Sequence, residues 1–240
     1  MSLNFKNIFT KIENYLLPSQ CAICGDKGPI LCPTCRARLP RLIPHCPRCG
    51  GKSTLGLFCP SCLDIAKQYN FDGVISLSTY ENSGLKPALH VLKYQGGQNI
   101  GVMLGKMLGR LLASHWRQTS TDISKTIPII IPLPLHPRRE RERGYNQSLL
   151  IAHGIALVTG WPINQGLKRL SYQSPSARLN YSQRQKQAKF FVYQGTNITG
   201  KNVILVDDII TTGATVQATA KELKQTGAIK ILIATVAKSL

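Results

Sequence analysis

The chain has 240 residues, 43% of them hydrophobic, which suits one medium domain, or such a domain with a small module, and suffices for a packed core. Thirty basic side chains against 11 acidic ones give a formal net charge of +19 at pH 7, a balance that favours polyanionic partners such as phosphates or nucleic acid. The apolar stretches around Ile129 and Leu205 are broken by Pro132, Pro134 or the Asp207–Asp208 pair and fall short of the roughly 20 residues a bilayer span needs, so no membrane insertion is expected.

Residues 1–20 place Phe5, Ile8, Phe9, Ile12, Tyr15 and Leu16 at helical spacing, predicting an amphipathic docking helix. They lack the continuous apolar block of a secretory signal, which points to the cytoplasm. All eight cysteines follow as four Cys-x-x-Cys pairs: Cys21/Cys24, Cys32/Cys35, Cys46/Cys49 and Cys59/Cys62. The spans CAICGDKGPILCPTC and CPRCGGKSTLGLFCPSC repeat one design, two pairs around a Gly-bearing loop, as an internal duplication would. Without an export signal, paired thiolates point to tetrahedral zinc rather than disulfides, so residues 21–65 are expected to hold two structural zinc ions. Sequential pairing puts one ion on Cys21, Cys24, Cys32 and Cys35 and the other on Cys46, Cys49, Cys59 and Cys62; a cross-braced pairing satisfies the same sequence. Redox chemistry is the competing use, but no βαβ pattern surrounds the pairs. His45, beside Cys46, is read as surface because eight sulfurs already fill two sites.

A second domain, 70–240, begins where the composition changes, between Asp64 and Phe71. FDGVISLSTYE reads as a strand through Val74, Ile75, Leu77 and Tyr80, and Leu85 to Val91 as a helix. Ile100 to Trp116 is strongly helical, with Gly101, Gly105 and Gly109 on it. A TSTDISKT loop, a buried strand at Ile127 to Ile131 and a polar turn, PLPLHPRRERERGYNQ, lead into a helix ending near Val158. Within that turn, RRERERG reads as an exposed helix start. A second strand near Pro162 to Leu167 precedes a basic polar stretch, Tyr172 to Lys189. The chain closes with a strand at Asn202 to Val206, a Thr/Gly turn, a helix from about Thr215 to Gln225 stopped by Gly227, and a strand at Lys230 to Val236. This alternation predicts an α/β fold, a mainly parallel sheet with flanking helices, whose ligands sit beyond the carboxyl ends of the strands.

The sharpest motif is VILVDDIITTGAT, Val203 to Thr215. Its acids stand out, because no Asp or Glu occurs between Glu142 and Asp207. Amides and hydroxyls of Thr211, Thr212, Gly213, Ala214 and Thr215 at a helix start can surround a phosphate, where orphan donors and the helix dipole favour anions. Asp207 and Asp208 can accept hydrogen bonds from vicinal ribose hydroxyls and help orient a magnesium ion bound to the ligand. Together they suit a phosphorylated ribose. The plainer reading is a Thr-capped helix after two solvated acids.

Val203 to Thr215 matches the phosphoribosyl pyrophosphate (PRPP) motif of type I phosphoribosyltransferases at every constrained position. The wider chain resembles the ComF family, which joins a double zinc ribbon to such a domain and is associated with DNA uptake in competent bacteria. LKYQGG (Leu92 to Gly97), PLPLHPRRERERGYNQS (Pro132 to Ser148) and SARLNYSQRQKQAKFF (Ser176 to Phe191) occur in family order, so the resemblance covers nearly the entire chain. It implies a type I phosphoribosyltransferase fold behind the zinc module and PRPP with magnesium as ligand. By the same resemblance, Pro134, Leu135 and His136 fall on the loop that faces pyrophosphate, and Ser174 to Lys189 on the mobile loop, where Arg178 and Arg184 would act with Asp207 and Asp208 in catalysis. Lys93 and Tyr94 would contribute from the hood, Phe71 to Gly97, where this fold selects its acceptor. The implied activity is phosphoribosyl transfer with release of pyrophosphate. The alternative is an inactive PRPP sensor that binds single-stranded DNA, with competence proteins as further partners.

Overall fold

Four runs rich in β-branched residues build one parallel sheet. The computed structural model describes residues 20–39, 42–81, 84–118, 126–170 and 190–239. In it β1 (Gly73–Thr79), β2 (Ile129–Pro132), β5 (Asn202–Ile210) and β6 (Lys230–Lys238) lie in the order β1-β6-β5-β2, every pair parallel. Two short strands, β3 (Leu167–Arg169) and β4 (Phe191–Tyr193), form a separate antiparallel ribbon. Val203 to Val206 and Ile231 to Ala237 are buried throughout, as strands covered on both faces must be.

Alternation along β5 assigns the faces. Ile204 and Val206 pack with Leu104, Leu108 and Leu112 of α4 (Gln98–Gln118) and with Ile151 and Ile155 of α6 (Gln147–Thr159). Val203 and Leu205 pack with Val216, Ala220 and Leu223 of α7 (Ala214–Gln225) on the opposite face. The helices α4 and α6 touch backbone to backbone. A Cβ on Gly105 would fall 2.2 Å from the Ile151 carbonyl oxygen, and one on Gly154 2.2 Å from that of Val102, so only glycine fits at either position. The remaining helices are α1 (Pro33–Arg38), α2 (Leu63–Ala66), α3 (Leu85–Tyr94) and α5 (Pro137–Arg143).

The cysteine-rich segment lies along the β1 edge. Leu42 N–H donates to Leu77 O at 3.1 Å, Phe58 N–H to Asp72 O at 3.3 Å, and Leu57 bridges Gly73. Its first half contributes Leu31, Cys35 and Leu39 to the core on the α4 side, joined there by Leu55 of the second half, while Cys46, Phe58 and Cys62 enter the core on the α7 side.

The structure corrects the sequence reading at three places. The expected strand near Pro162 to Leu167 is only a bridge from Ile163 to Ile130, because Gly166 packs against the Gly195 backbone and the chain turns away into the β3–β4 ribbon. The Asp-Asp strand does not stop at Val206 but runs to Ile210, held by β6, which itself extends to Lys238. Ile127, expected in a buried strand, is exposed and precedes β2. The amino-terminal helix, the TSTDISKT loop up to position 125 and the mobile-loop residues Arg178 and Arg184 lie outside the described residues. Among the described residues, no helix is long and apolar enough to cross a membrane.

Candidate functional site

A step in the sheet creates the site. On one side β5 pairs with β2 only as far as Val206, opposite Pro132; on the other it pairs with β6 through Ile210. Asp207 and Asp208 therefore stand past the end of β2, at the carboxyl end of the sheet, where parallel α/β folds bind ligands. Asp208 continues the alternation of Ile204 and Val206 toward the α3 side and is 5% exposed. A carboxylate so buried needs a partner, and Lys93 Nζ, from the last turn of α3, lies 2.6 Å from its Oδ2. Asp207 Oδ1 accepts from Ser148 Oγ at 3.0 Å and from the Asp208 amide at 2.8 Å. Burial, and then the neighbouring Asp208 charge, pushes the Asp207 carboxyl well above its ordinary range. A carboxyl that resists ionisation beside a second carboxylate is relieved by a cation or by hydroxyl donors.

Beyond Ile210, Thr211 and Thr212 form an exposed turn into α7. Gly213 takes φ 75°, and a Cβ there would come no closer than 3.9 Å to Val216, so glycine serves the left-handed dihedral rather than a lack of room. Ala214 and Thr215 open the helix, whose first N–H groups have no intrahelical acceptor. Across the step, Pro134, Leu135 and His136 follow β2. The His136 ring nitrogen caps α5 by accepting from the Arg138 amide at 3.2 Å. Pro134 and Leu135 share a cavity of about 270 Å³ with Asn146, Lys168 and Arg169. Asn146 ties this loop to α6: its Nδ2 donates to Leu133 O at 3.0 Å and its Oδ1 accepts from the Ser148 amide at 2.9 Å.

The cysteines form two groups, Cys21/Cys24/Cys32/Cys35 and Cys46/Cys49/Cys59/Cys62, each with all four sulfurs within 4.8 Å of one another. This is the sequential pairing. A tetrahedral ion with zinc–sulfur bonds of about 2.3 Å sets sulfurs about 3.8 Å apart; Cys24 and Cys32 are 3.9 Å apart and Cys49 and Cys59 3.6 Å. The donor set and spacing fit zinc, and all eight cysteines are free of disulfides. The two halves also repeat their backbone bonds. Cys21 N–H reaches Asp26 O and Cys46 N–H reaches Gly51 O, while Gly25 and Gly50 each return a bond to the first cysteine of their own half. Burial raises the Cys21 thiol, but amides of Cys32, Cys24 and Ile23 outweigh it and bring the group down to about 6. His45 is exposed and bridges Lys52 through the backbone.

Residues 170–239 match the model of the phosphoribosyl transferase domain and residues 12–63 that of the double zinc ribbon domain. The chain is 28% identical over 207 residues to Competence protein ComFC of Bacillus subtilis (strain 168), covering 82% of this chain and 79% of that one. It is 26% identical over 224 residues to DNA utilization protein YhgH of Salmonella typhimurium, covering 90% and 96%. Competence protein F of Haemophilus influenzae is 27% identical over 209 residues, covering 85% and 88%. Over most of its length the chain is thus similar to proteins named for competence and DNA utilization, and it joins the two domains that the family models describe. Its sheet and helices have the type I phosphoribosyltransferase fold behind a double zinc ribbon.

In this chain the structure brings Lys93, Asp207, Asp208 and the Thr211–Thr215 turn around one step in the sheet, with Pro134 to His136 across it. Three contributors escaped the sequence reading. Ser148 meets Asp207 from a position 59 residues away, and nothing local distinguishes it from any helix-start serine. Arg169, at the end of β3, is half-buried; burial and then Arg139 lower its pKa while Asp207 raises it, which places all three charges in one neighbourhood. Its signal was its place in the acid-free basic stretch. Arg143 lies 5.5 Å from the Tyr94 ring centre and belongs, with Lys93, Tyr94, Arg139, Glu142 and Tyr145, to a second cavity of about 450 Å³.

Proposed function

We propose that the chain binds PRPP with magnesium at Asp207 to Thr215 and transfers its phosphoribosyl group to an acceptor, releasing pyrophosphate, in the cytoplasm and in the service of DNA uptake. The observation that carries this reading is the buried Lys93–Asp208 pair beside a second, ionisation-resistant carboxyl, set against a turn built for phosphate. Asp207 and Asp208 accept hydrogen bonds from the two ribose hydroxyls, and Lys93 sets an opposing charge beside Asp208. The 5-phosphate takes the amides and hydroxyls of Thr211 to Thr215. Pro134, Leu135 and His136 face the pyrophosphate, and Arg178 and Arg184 are assigned to neutralising it. Magnesium, when bound with PRPP, supplies neutralisation of the leaving pyrophosphate.

No covalent intermediate is required. The acceptor forms a bond to the anomeric carbon as the bond to pyrophosphate breaks, and the positive lining stabilises the departing charge. The relatives' names, with competence in two and DNA utilization in the third, support the DNA-uptake assignment. Zinc on the two cysteine groups is assigned a structural role, since four thiolates leave no open position. Calorimetric titration with PRPP and magnesium tests the reading: binding weakened at least tenfold in Asp207→Asn/Asp208→Asn is expected, and undiminished affinity refutes the site.

A second reading, a PRPP sensor without turnover that binds single-stranded DNA, is favoured by the net charge of +19. Pyrophosphate release with any acceptor rules it out. Steeply salt-dependent DNA binding, with a log–log slope of about −0.7 per phosphate contact and no pyrophosphate release, establishes it.

A further inference from the structure

We propose that the groove between α1 and α4 is the docking site of the chain's own amino-terminal segment, seated there as an amphipathic helix with Phe5, Ile8, Phe9, Ile12, Tyr15 and Leu16 facing inward. Nothing in this depends on what the Asp207–Asp208 step binds. The groove measures about 260 Å³. The buried Leu77 and Met107 form its floor, the less buried Ala37 and Leu111 its walls, and the exposed Arg36 and Arg110 its rim. Apolar below and basic at the border, it matches an apolar helix face edged by an acid. Met107, unbranched and polarisable, can adapt to whatever side chain enters.

Route, length and charge select the occupant. Gln20 is fixed by a bridge to Lys27, and the sulfur of Cys21 lies within 4.8 Å of that of Cys35, the residue before Arg36. The chain thus enters the ribbon beside the groove. Nineteen residues precede Gln20, and Pro18 disfavours helical backbone at Leu17, so a helix over the apolar positions stops there and joins the ribbon by a short connection. As a helix, positions 5–16 run about 17 Å, against about 30 Å for α4, so the segment fits alongside it. Arg36 and Arg110 meet no carboxylate among the described residues. Glu13 is the one acid before Asp26, and helical spacing sets it next to Phe9 at the border of the apolar face, toward the Pro18 end and therefore toward Arg36. A second copy could offer the same face, but the short tether holds the chain's own segment at an effective concentration of about millimolar, and two chains of net charge +19 repel.

Photocrosslinking in the full zinc-loaded chain tests this. Phe9 is replaced by p-benzoylphenylalanine, the sample is irradiated, and the joined residues are located by proteolysis and mass spectrometry. Crosslinks within one chain to Ala37, Met107 or Leu111 are expected. Ile12→Asp, which sets a carboxylate on the apolar face, should lower their yield about threefold or more, whereas Asn7→Asp, on the far side of the helix, should not. Arg36→Glu, at an exposed position, should also lower the yield, and adding Glu13→Arg should restore it. Absence of groove crosslinks overturns the proposal, whether the light joins two chains, joins Phe9 to another part of its own chain, or finds a protein that sediments with phosphatidylcholine–phosphatidylglycerol vesicles instead. Equal yields in Ile12→Asp and Asn7→Asp, or a loss in Arg36→Glu that Glu13→Arg leaves in place, overturn it as well.

Discussion

Lys93 and Asp208 form a pair whose energetic coupling is measurable. Their side chains are 22% and 7% exposed and 2.6 Å apart. Lys93→Met removes the ammonium and strands a buried carboxylate. Breaking a buried pair this way costs about 3–5 kcal/mol, and partial exposure on the lysine side puts the expected loss near the lower end, about 3 kcal/mol. Asp208→Asn keeps the side chain's size and relieves repulsion of Asp207, so it should cost about 1 kcal/mol, less than a full charge-assisted bond. The double variant has neither charge to strand and should cost little more than Asp208→Asn alone, giving a coupling of about 2–3 kcal/mol. Thermal unfolding of the zinc-loaded chain reads these differences as a drop of about 6–12 °C for Lys93→Met and about 2–4 °C for the other two. Additivity, with coupling below about 0.5 kcal/mol, refutes the buried ion pair.

Other expectations follow from the same geometry. Metal analysis of protein purified without added zinc should return two zinc ions per chain, one for each four-sulfur group, and one ion or none would contradict the assignment. Gly105→Ala should destabilise by about 1–3 kcal/mol by forcing α4 from α6, whereas Gly109→Ala, whose Cβ would stand 3.0 Å from Ile155 Cα, should cost less; equal melting temperatures would show that the helices do not touch as described. Because the folded-state pKa of Asp207 is raised, the folded chain holds a proton there that the unfolded chain releases, so stability falls as pH rises above about 4. Asp207→Asn should therefore gain stability relative to the parent as pH rises above about 4 without ligand; a difference independent of pH refutes the shift.

What the sequence made legible was local. The two four-cysteine groups and the Asp-Asp strand end with its Thr/Gly turn are carried by short contiguous spacings, readable from residue type within a few positions. Long-range partnership was harder. Lys93 was readable as a hood residue, but its contact with Asp208 depends on α3 and β5 meeting in space. The length of β5 was misjudged because two acids and a Thr/Gly turn argue against strand propensity, whereas the pairing that overrides propensity comes from β6. The pairing of the cysteines was equally open, since sequential and cross-braced schemes demand the same spacing.

The position of the duplicated ribbon bears on how the protein fails. In the strand order β1-β6-β5-β2, β1 is the outer strand, and the cysteine-rich segment lies along it through Leu42, Leu57 and Phe58 while its side chains enter the cores on both faces. It acts as a clip over an edge that would otherwise offer a row of unpaired backbone groups to any other chain. Stripping metal from the clip thus does more than melt a small appendage. It is expected to bare that strand, so that chelated protein should scatter more light than the zinc-loaded chain at equal concentration.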